Sequence, residues 1–472
     1  MSYKKYISLT LSLFFLTLFL GACGSSRTGT LRSPAEAHQA LVTIYMETSG
    51  FCQGKISFVV DNLALLAGDE WVPLDTEPVG VDLANLKDRQ FLLGLAVVQT
   101  GSYARIRFRL TQIKTHGDVG RAARDELEIN LPFQATVPLG EGDSTCLFVN
   151  CDLGSCLAKD GRFVPRFSAR GQIEPLAGDL LYVDCDDIDT IYLVRTDRNL
   201  VVASLGLVGR LGELKIDEAS RRLYVVSTGA RSIYVLDCTN NRFIDRIALP
   251  LTLEPRFMAL SSDGAFAFVS DAPTNRVMKI NLNTGSLERQ ATVGYRPERV
   301  IFFEDRGAGW LAVGSFSSQQ VYILSAETLV IARTIPVGLE PDGLLFQSGL
   351  LYVSDRRSHT VTAHDLWSGT LAARIAVGAG PGFLLAYSQA DKIYVSNYGG
   401  NSLSVMTPGQ YTAFREIPVG LTPFALALSS RRQVMYVGNR KMKNLTVMDL
   451  NTERIKTVIP LGGTPFFIDI LE

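Results

Sequence analysis

Two short charged runs carry the residue types that could bind a cation or an anion. The run "DCDDID" places four carboxylates within six residues, at Asp184, Asp186, Asp187 and Asp189. Carboxylate oxygens at this density can hold Ca²⁺, but the run lacks the central Gly and the distal Glu of an EF-hand loop. The run "NRKMKN" supplies the cations Arg440, Lys441 and Lys443. The sequence therefore predicts either a calcium site or a solvated acidic loop at the first run. The opposite charges of the two runs either tie these two parts of the chain together or form a polarised docking surface that steers a charged partner.

Two further segments could contact a ligand. The segment "DRRSHT" groups Arg356, Arg357 and His359, which could hold an anion or form an exposed loop. Asn397 ends the phrase "KIYVSN" and precedes a Gly-rich segment, where Asn either contacts a ligand or shapes a turn. The two histidines His359 and His364 do not make an evident metal site, and no metal or other cofactor is predicted besides the calcium alternative.

The cysteines suggest a structural role. Cys52, Cys146, Cys151 and Cys156 lie in the first third of the chain, and the last three have the spacing C-x4-C-x4-C. Zinc sites usually show tighter pairs with help from histidine. The pattern favours two disulfides of undetermined connectivity, in a compartment that permits them.

The first 22 residues predict export. Lys4 and Lys5 precede a mostly apolar run that is too short and too interrupted for a membrane span, which needs about 20 apolar residues. The ending "LGAC" at Cys23 resembles the bacterial lipobox, which implies cleavage before Cys23 and lipidation of that residue. Several acyl chains anchor a protein firmly to a membrane. Gly24 after the cysteine favours the outer membrane, so we expect a lipid-anchored protein of the bacterial cell envelope.

Charge excludes one large class of partner. The chain has 46 basic and 47 acidic side chains, for a formal net charge of −1. A nucleic-acid-binding protein normally shows a basic excess. We therefore expect no nucleic-acid partner.

A repeat of about 42 residues fills the C-terminal part of the chain. Tyr-Val-like phrases recur at intervals of 42, 44, 44, 40, 42 and 42 residues, centred on Val183, Val225, Val269, Val313, Val353, Val395 and Val437. A second marker keeps the same step, at Pro255, Pro297, Pro341, Pro381, Pro423 and Pro465. A Gly stands three residues before most of these prolines, and we expect it to supply a free φ in a tight turn while Pro fixes its own φ.

Each repeat holds four short apolar runs, the size of one propeller blade. The sequence predicts an all-β fold with a seven-bladed propeller, in which residues 466–471 complete the first blade and close the ring. The phrases "YVSN", "PVG" and "NLTVMDLNT" resemble the YVTN family of propellers. That resemblance implies a scaffold shared by surface proteins, binding modules and some enzymes. His364 stands at a third-strand position that is apolar in the other repeats. It is either a core histidine that forms hydrogen bonds or a residue with a functional role.

The segment before the repeat reads as a separate β-sandwich. "YARIRFRLTQI" and "DELEINLPF" alternate apolar with charged residues, and their arginine and glutamate faces could pair across neighbouring strands. The phrases "WVPL" and "LPFQATVPL" resemble prealbumin-like sandwich domains of bacterial lipoproteins. The predicted organisation is a signal peptide at 1–22, a lipidated tether at 23–35, a β-sandwich at 36–172 and a propeller at 173–472.

The function favoured by the sequence is noncatalytic. An enzyme would need an acid, a base and a stabilising group that converge on one mouth of the ring. The strand and turn phrases also resemble lactonase propellers, but no catalytic set can be matched residue by residue. We expect a binding or scaffolding lipoprotein with a membrane anchor and an envelope protein or polymer partner. The alternatives are a lactonase-like hydrolase and a metal or redox carrier.

Overall fold

The computed structural model describes residues 38–50, 55–86, 89–116, 125–156, 158, 162–172 and 178–472. The regular secondary structure of this part of the chain is almost entirely β-strand, with two short 3-10 helices at Leu83–Leu86 and Ser388–Ala390. Neither helix is long and apolar enough to cross a membrane. Cys23, the signal segment and Cys52 lie outside the described residues.

The N-terminal domain is a nine-stranded β-structure. Its sheet order is β3-β2-β6-β7-β9-β8-β1-β5, and β4 pairs with β2. Its strands are β1 (Gln39–Ser49), β2 (Lys55–Ala67), β3 (Glu70–Pro73), β4 (Val79–Asp82), β5 (Phe91–Gln99), β6 (Gly101–His116), β7 (Leu127–Leu139), β8 (Ser144–Asp152) and β9 (Phe167–Gly171).

This domain is two half-sheets folded over one core, as the sequence predicted. The single parallel pair Phe133 with Ala169 joins the halves. Val42, Phe58 and Phe108 meet in the core between them.

The predicted cross-strand charge pairing is also present. β6 and β7 run antiparallel with Arg109 opposite Glu128, and Arg109 Nε lies 2.8 Å from an Asp61 carboxylate oxygen.

Seven four-stranded sheets follow and form the ring of the propeller. Blade one contains β10 (Leu180–Cys185), β11 (Thr190–Arg195) and β12 (Leu200–Gly206). Blade two contains β13 (Leu211–Asp217), β14 (Arg222–Ser227), β15 (Ser232–Asp237) and β16 (Arg242–Ala248). Blade three contains β17 (Pro255–Leu260), β18 (Phe266–Asp271), β19 (Arg276–Asn281) and β20 (Leu287–Thr292). Blade four contains β21 (Pro297–Asp305), β22 (Ala308–Ser315), β23 (Gln320–Ser325) and β24 (Ile331–Pro336).

The remaining blades keep the same plan. Blade five contains β25 (Pro341–Gln347), β26 (Leu350–Asp355), β27 (Thr360–Asp365) and β28 (Leu371–Ala376). Blade six contains β29 (Pro381–Tyr387), β30 (Lys392–Asn397), β31 (Ser402–Met406) and β32 (Ala413–Pro418). Blade seven contains β33 (Pro423–Ser429), β34 (Val434–Asn439), β35 (Asn444–Asp449) and β36 (Arg454–Pro460). The last strand, β37 (Pro465–Leu471), pairs antiparallel with β10 and supplies the innermost strand of blade one. The predicted closure is confirmed.

The two markers of the repeat have distinct structural causes. The Tyr-Val phrases are the second strands, whose centres are fully buried between neighbouring blades. The prolines begin the innermost strands. The glycines three residues before the prolines are needed mainly because a side chain there would clash with a neighbouring residue of the blade. A Cβ at Gly378 would lie 2.4 Å from Asn397 Nδ2, and one at Gly420 would lie 2.4 Å from Asn439 Cγ. The expectation of a free φ is wrong for this column, where only Gly209 has a positive φ, of 101°.

The N-terminal domain packs directly against blade one. The side-chain amide of Gln90 exchanges two 2.8 Å hydrogen bonds with the backbone of Val201, which lies on the outermost strand β12. Tyr45 and Cys146 join the hydrophobic core of this part of the ring. The contact covers the polar edge of an outer strand, which would otherwise be open to pairing with another chain.

Candidate binding site at the mouth of the ring

All seven innermost strands run in the same direction, so their first residues meet at one end of the central channel. A cavity of about 310 Å³ opens there, on the face formed by the loops that join strands two to three and four to one. The residue after a repeat proline lines this cavity in five blades, as Arg256, Glu298, Asp342, Phe424 and Phe466. We call this cavity the mouth.

Four arginines in the mouth are held against aromatic rings. Arg256 and Arg440 both lie over the ring of Phe466, with guanidinium carbons 4.1 and 4.6 Å from its centroid. The other two pairs are Arg356 over Tyr398 at 4.7 Å and Arg296 over Phe316 at 5.1 Å. Stacking orients a guanidinium group while it leaves the in-plane N–H groups available to an acceptor.

The arginines over Phe466 share one carboxylate. Asp186 lies 3.0 Å from an Arg256 nitrogen and 3.4 Å from an Arg440 nitrogen. Burial, with the positive charges of Arg210 and Arg440, lowers the pKa of Arg256. Asp186 is the one described carboxylate within ion-pairing distance of these two cations, so an anionic ligand would supply the pair with a second counterion.

Arg299 closes the floor of the mouth. Its side chain is only 4% exposed and stacks near Phe257, Phe383 and Phe467, at 4.8 to 5.3 Å. It lies 3.5 Å from Glu213 and 3.9 Å from Asp342. Arg299 therefore divides the central channel into two compartments.

The acidic run of blade one is not a solvated loop. Asp184 is fully buried and accepts a hydrogen bond from the backbone of Phe467 on the closing strand. Burial, and then the charge of Asp186, raises the pKa of Asp184. Asp187 accepts hydrogen bonds from the backbone and hydroxyl of Thr464, at 2.6 and 2.9 Å. Asp189 accepts the backbone N–H groups of Gly209 and Arg210. These contacts give the run a structural role at the closure of the ring.

The basic run of blade seven faces the acidic run. Lys443 Nζ lies 3.2 Å from Asp187, and Arg440 reaches Asp186. Of the two interpretations that the sequence left open, this geometry supports charges that tie the closing blades together. Lys441 is exposed on the loop, where its backbone N–H bonds to the Thr422 hydroxyl.

Three of the candidate residues belong to one turn column. In every blade the residue just before the third strand has a left-handed backbone with φ between 47° and 58°, as at Asp189, Arg231, Asn275, Gln319, His359, Asn401 and Lys443. The imidazole Nδ1 of His359 accepts the backbone N–H of Gly380 at 2.9 Å. Its turn position and this hydrogen bond account for His359 without a ligand.

The other candidates divide between the mouth and the blade interior. Arg356 lines the mouth and lies 3.5 Å from Asp342. Arg357 points away from it, with a side chain that is 73% exposed. Asn397 is fully buried and donates to the hydroxyls of Ser402 and Ser404, both at 2.9 Å. Its amide therefore stabilises blade six, in agreement with the turn interpretation.

No pair among the described cysteines forms a disulfide, so the prediction of two disulfides among Cys52, Cys146, Cys151 and Cys156 is wrong as a set, and any bond to Cys52 lies outside the described residues. Cys146 and Cys151 occupy one strand but belong to different cores, because an odd separation places them on opposite faces. Cys146 contacts the Ser204 hydroxyl at 3.4 Å, and burial raises the pKa of its thiol to about 12.

Within the described residues, no cluster of three or more His, Cys, Asp or Glu side chains could hold a metal.

Sequence reasoning missed Arg256, Arg299 and the aromatic rings beneath the arginines. A usable signal was the position after each repeat proline, which faces the mouth. That column reads Arg, Glu, Asp, Gly, Phe and Phe from Pro255 to Pro465, so it forms no recognisable motif. The clustering of its members appears only when the ring is closed.

Comparisons with known proteins support the fold. No protein-family model matches the chain, and no curated protein matches it. A functionally unknown protein from Desulfotomaculum acetoxidans superposes with a TM-score of 0.55 at 12% identity, over 63% of this chain and 99% of that one. The dihydro-heme d1 dehydrogenase NirN gives 0.47 at 17% identity, over 60% of this chain and 63% of its own. Hydrazine synthase from Kuenenia stuttgartiensis gives 0.46 at 14% identity, over 54% of this chain and 87% of its own. At 12% identity, the superposition on the Desulfotomaculum protein shows a similarity of the propeller fold alone.

Proposed function

We propose that this protein is a lipoprotein of the bacterial envelope whose propeller binds an anionic group at its arginine-lined mouth without catalysing a reaction. The "LGAC" sequence at Cys23 supports the lipid anchor, and the repeat phrases support a YVTN-type propeller. These motifs favour an outer-membrane location within the bacterial cell envelope, on either face of that membrane.

The observation that carries the binding role is the pair Arg256 and Arg440 on one ring with one shared carboxylate. Their side chains are 27% and 20% exposed, so part of each group faces the cavity. Guanidinium groups bind carboxylates and phosphates through paired, charge-assisted hydrogen bonds. An anionic sugar, a terminal carboxylate or a phosphate group meets this requirement.

The composition of the mouth favours binding over hydrolysis. The described residues that line it include no histidine and no cysteine. The Ser270 hydroxyl donates to the backbone carbonyl of Glu298 at 2.6 Å, so it is not paired with a base. Glu298 is held by Arg296 at 2.8 Å. These groups position one another and leave none arranged as a nucleophile with its base.

The test is calorimetric titration of the full chain in detergent with glucuronate, inorganic phosphate and neutral glucose. We expect at least one anion to bind and glucose not to bind. Arg256→Gln and Arg440→Gln should each weaken the anion by about tenfold or more, because each removes a charge-assisted contact. Comparison of the affinities for glucuronate and phosphate shows whether the mouth prefers a carboxylate or a phosphate.

The matched control is Arg357→Gln, which removes the same charge from an exposed position on the same loop face. Its affinity for the anion should stay within about twofold of the wild type, because exposed charges contribute little to a separate site. Equal losses in Arg357→Gln and Arg440→Gln would show that the anion responds only to overall charge, and binding of glucose as tight as glucuronate would also refute the proposal.

A further inference from the structure

The opposite end of the central channel contains a second and larger cavity, of about 470 Å³. It is lined by the later residues of the innermost strands, beyond Arg299. Its walls are mostly apolar and only half-buried, and they include Ile216, Leu260, Ile301, Leu345, Leu385 and Leu428. A concave, largely apolar surface with a few polar groups is the usual form of a small-molecule site.

The polar groups of this cavity gather on one side, around Lys215. Lys215 Nζ lies 3.1 Å from a Glu213 carboxylate oxygen, and its side chain is 34% exposed. Burial acts to lower the pKa of Lys215, but the charges of Glu213 and Asp469 outweigh it and raise the pKa. The ammonium group therefore remains charged beside the apolar walls.

The carboxylates near Lys215 are already well supplied with donors. Glu213 is 2% exposed and accepts from Lys215, from Arg299 and from the backbone N–H of Met258. The two oxygens of Asp469 accept the backbone N–H groups of Ile216 and Ile470. These acceptors have little remaining demand for a further donor.

The donors of the same cluster are less fully used. Lys215 has three N–H groups and a single carboxylate within ion-pairing distance among the described residues. Arg299 lines the closed end of the cavity and adds a second positive charge there, although its Nε and Nη2 are enclosed and Nη2 lies 3.9 Å from Asp342 on the side of the mouth. Unsatisfied donors in an apolar cavity favour a ligand that brings acceptor oxygens.

We propose that this second cavity binds an apolar monocarboxylic acid, with its carboxylate at Lys215 and its hydrocarbon part against the leucine and isoleucine walls. The cavity is separated from the mouth by Arg299, so its ligand is independent of the anion proposed for the mouth. A carboxylate supplies an acceptor for the N–H groups of Lys215 that Glu213 leaves unused, and an alkyl or aryl group covers the half-buried side chains.

The experiment is calorimetric titration of the full chain with octanoate, 1-octanol and octylamine, which share a hydrocarbon chain and differ in the head group. The titrations are carried out below the concentrations at which these compounds form aggregates. We expect octanoate to bind about tenfold more tightly than either of the other two compounds. Lys215→Met should reduce octanoate affinity by about tenfold and leave 1-octanol nearly unchanged.

Two further variants make the result decisive. Lys456→Met is the matched control, because Lys456 is a surface lysine with a carboxylate partner, Asp449, at 3.5 Å. It should bind octanoate like the wild type. Leu385→Trp fills the cavity without changing its charge, and should weaken octanoate and 1-octanol alike. Each variant is checked for an unchanged far-ultraviolet circular dichroism spectrum.

Some outcomes would overturn the proposal. Tighter binding of octylamine than of octanoate would assign the cavity to a cation through Glu213 and Asp469. Unchanged octanoate affinity in Leu385→Trp would place the ligand elsewhere. Displacement of octanoate by glucuronate would mean that one site serves both ligands. Failure of both glucuronate and phosphate to bind would count against the proposal for the mouth and leave the proposal for the second cavity intact.

Discussion

A single histidine interrupts an otherwise apolar column of the ring. His364 lies opposite Leu351, and the equivalent positions of five other blades hold Leu or Ile or Met. It is 3% exposed, as expected for a core residue, but neither ring nitrogen makes a well-formed hydrogen bond to a described residue. The expectation of a hydrogen-bonded core histidine is therefore only half correct, and the imidazole costs stability.

Replacing this histidine should stabilise the protein. We expect His364→Leu to raise the free energy of unfolding by about 1–3 kcal/mol at pH 7.5, because two unpaired polar atoms leave the core. Burial, with the charge of Arg374, lowers the pKa of His364 in the folded state. The unfolded chain takes up the proton first, near pH 6.5, so the wild type should lose stability as pH falls below that value.

Urea unfolding at pH 7.5 and pH 5.5 measures both effects. The advantage of His364→Leu should grow at the lower pH, while Met406→Leu, at the equivalent position of blade six, should show no comparable change with pH. A His364→Leu protein that is less stable than the wild type at both pH values would show that the imidazole contributes favourable packing instead.

At the scale of the strand and its turns, the end of each second strand organises the loop above it. In blade seven, Asn439 donates to Asn444 and Thr446, both at 2.8 Å. The backbone of Gly420 passes directly over the same side chain, where a methyl group would lie 2.4 Å from Asn439 Cγ. The repeat therefore couples a glycine in one loop to a buried polar residue some 20 positions later.

Gly420→Ala tests this coupling. We expect a loss of about 1–3 kcal/mol in the free energy of unfolding, since the added methyl group displaces a hydrogen-bonded side chain. Gly101→Ala is the control, because a methyl group there meets nothing within 4 Å. Asn439→Gly removes every side-chain atom that the added methyl group would meet, including the Cβ at 2.8 Å. The losses in the double variant Gly420→Ala, Asn439→Gly should therefore be less than additive, and strict additivity would argue against a direct clash.

The blades were predictable from sequence because each one must bury the same face in the same way. The Tyr-Val phrases and the prolines recur for that reason, and they predicted seven blades and their closure. The mouth was not predictable in the same way. Asp186, Arg256 and Arg440 come from blades one, three and seven, and only the curvature of the ring brings them together. Sequence patterns identified Asp186 and Arg440 and left open that their two runs pair, but they did not identify Arg256, which shares the same carboxylate.

At the scale of the whole molecule, the ring depends on one strand that is distant in sequence from its partner. β37 pairs with β10 from Leu471 opposite Leu180 to Pro465 opposite Cys185. The carboxylates of Asp184 and Asp187 add contacts to Phe467 and Thr464. Backbone pairing and side-chain hydrogen bonds therefore act together at the closure.

A charge placed in this strand should open the ring. Ile468 is 7% exposed and lies opposite Val183, so Ile468→Asp should cost several kcal/mol, because a carboxylate is buried without a partner. Ile455→Asp makes the same change on the outermost strand of blade seven, where the side chain is 48% exposed, and should have a much smaller effect. Hydrogen exchange should show loss of protection in β10 only for Ile468→Asp. Similar unfolding midpoints for the two variants would contradict this role of the closing strand.

The docking of the N-terminal domain on blade one has a consequence for maturation. The hydroxyl of Tyr45 donates to the carbonyl of Pro460, a partner 415 positions later in the chain, and Thr43 bonds to Tyr192 at 2.8 Å. The surface that receives the first domain is therefore finished only when the last blade is in place. Until that moment Tyr45 and its apolar neighbours lack part of the surface that buries them in the finished molecule. Burial of the first domain therefore depends on a ring that has closed.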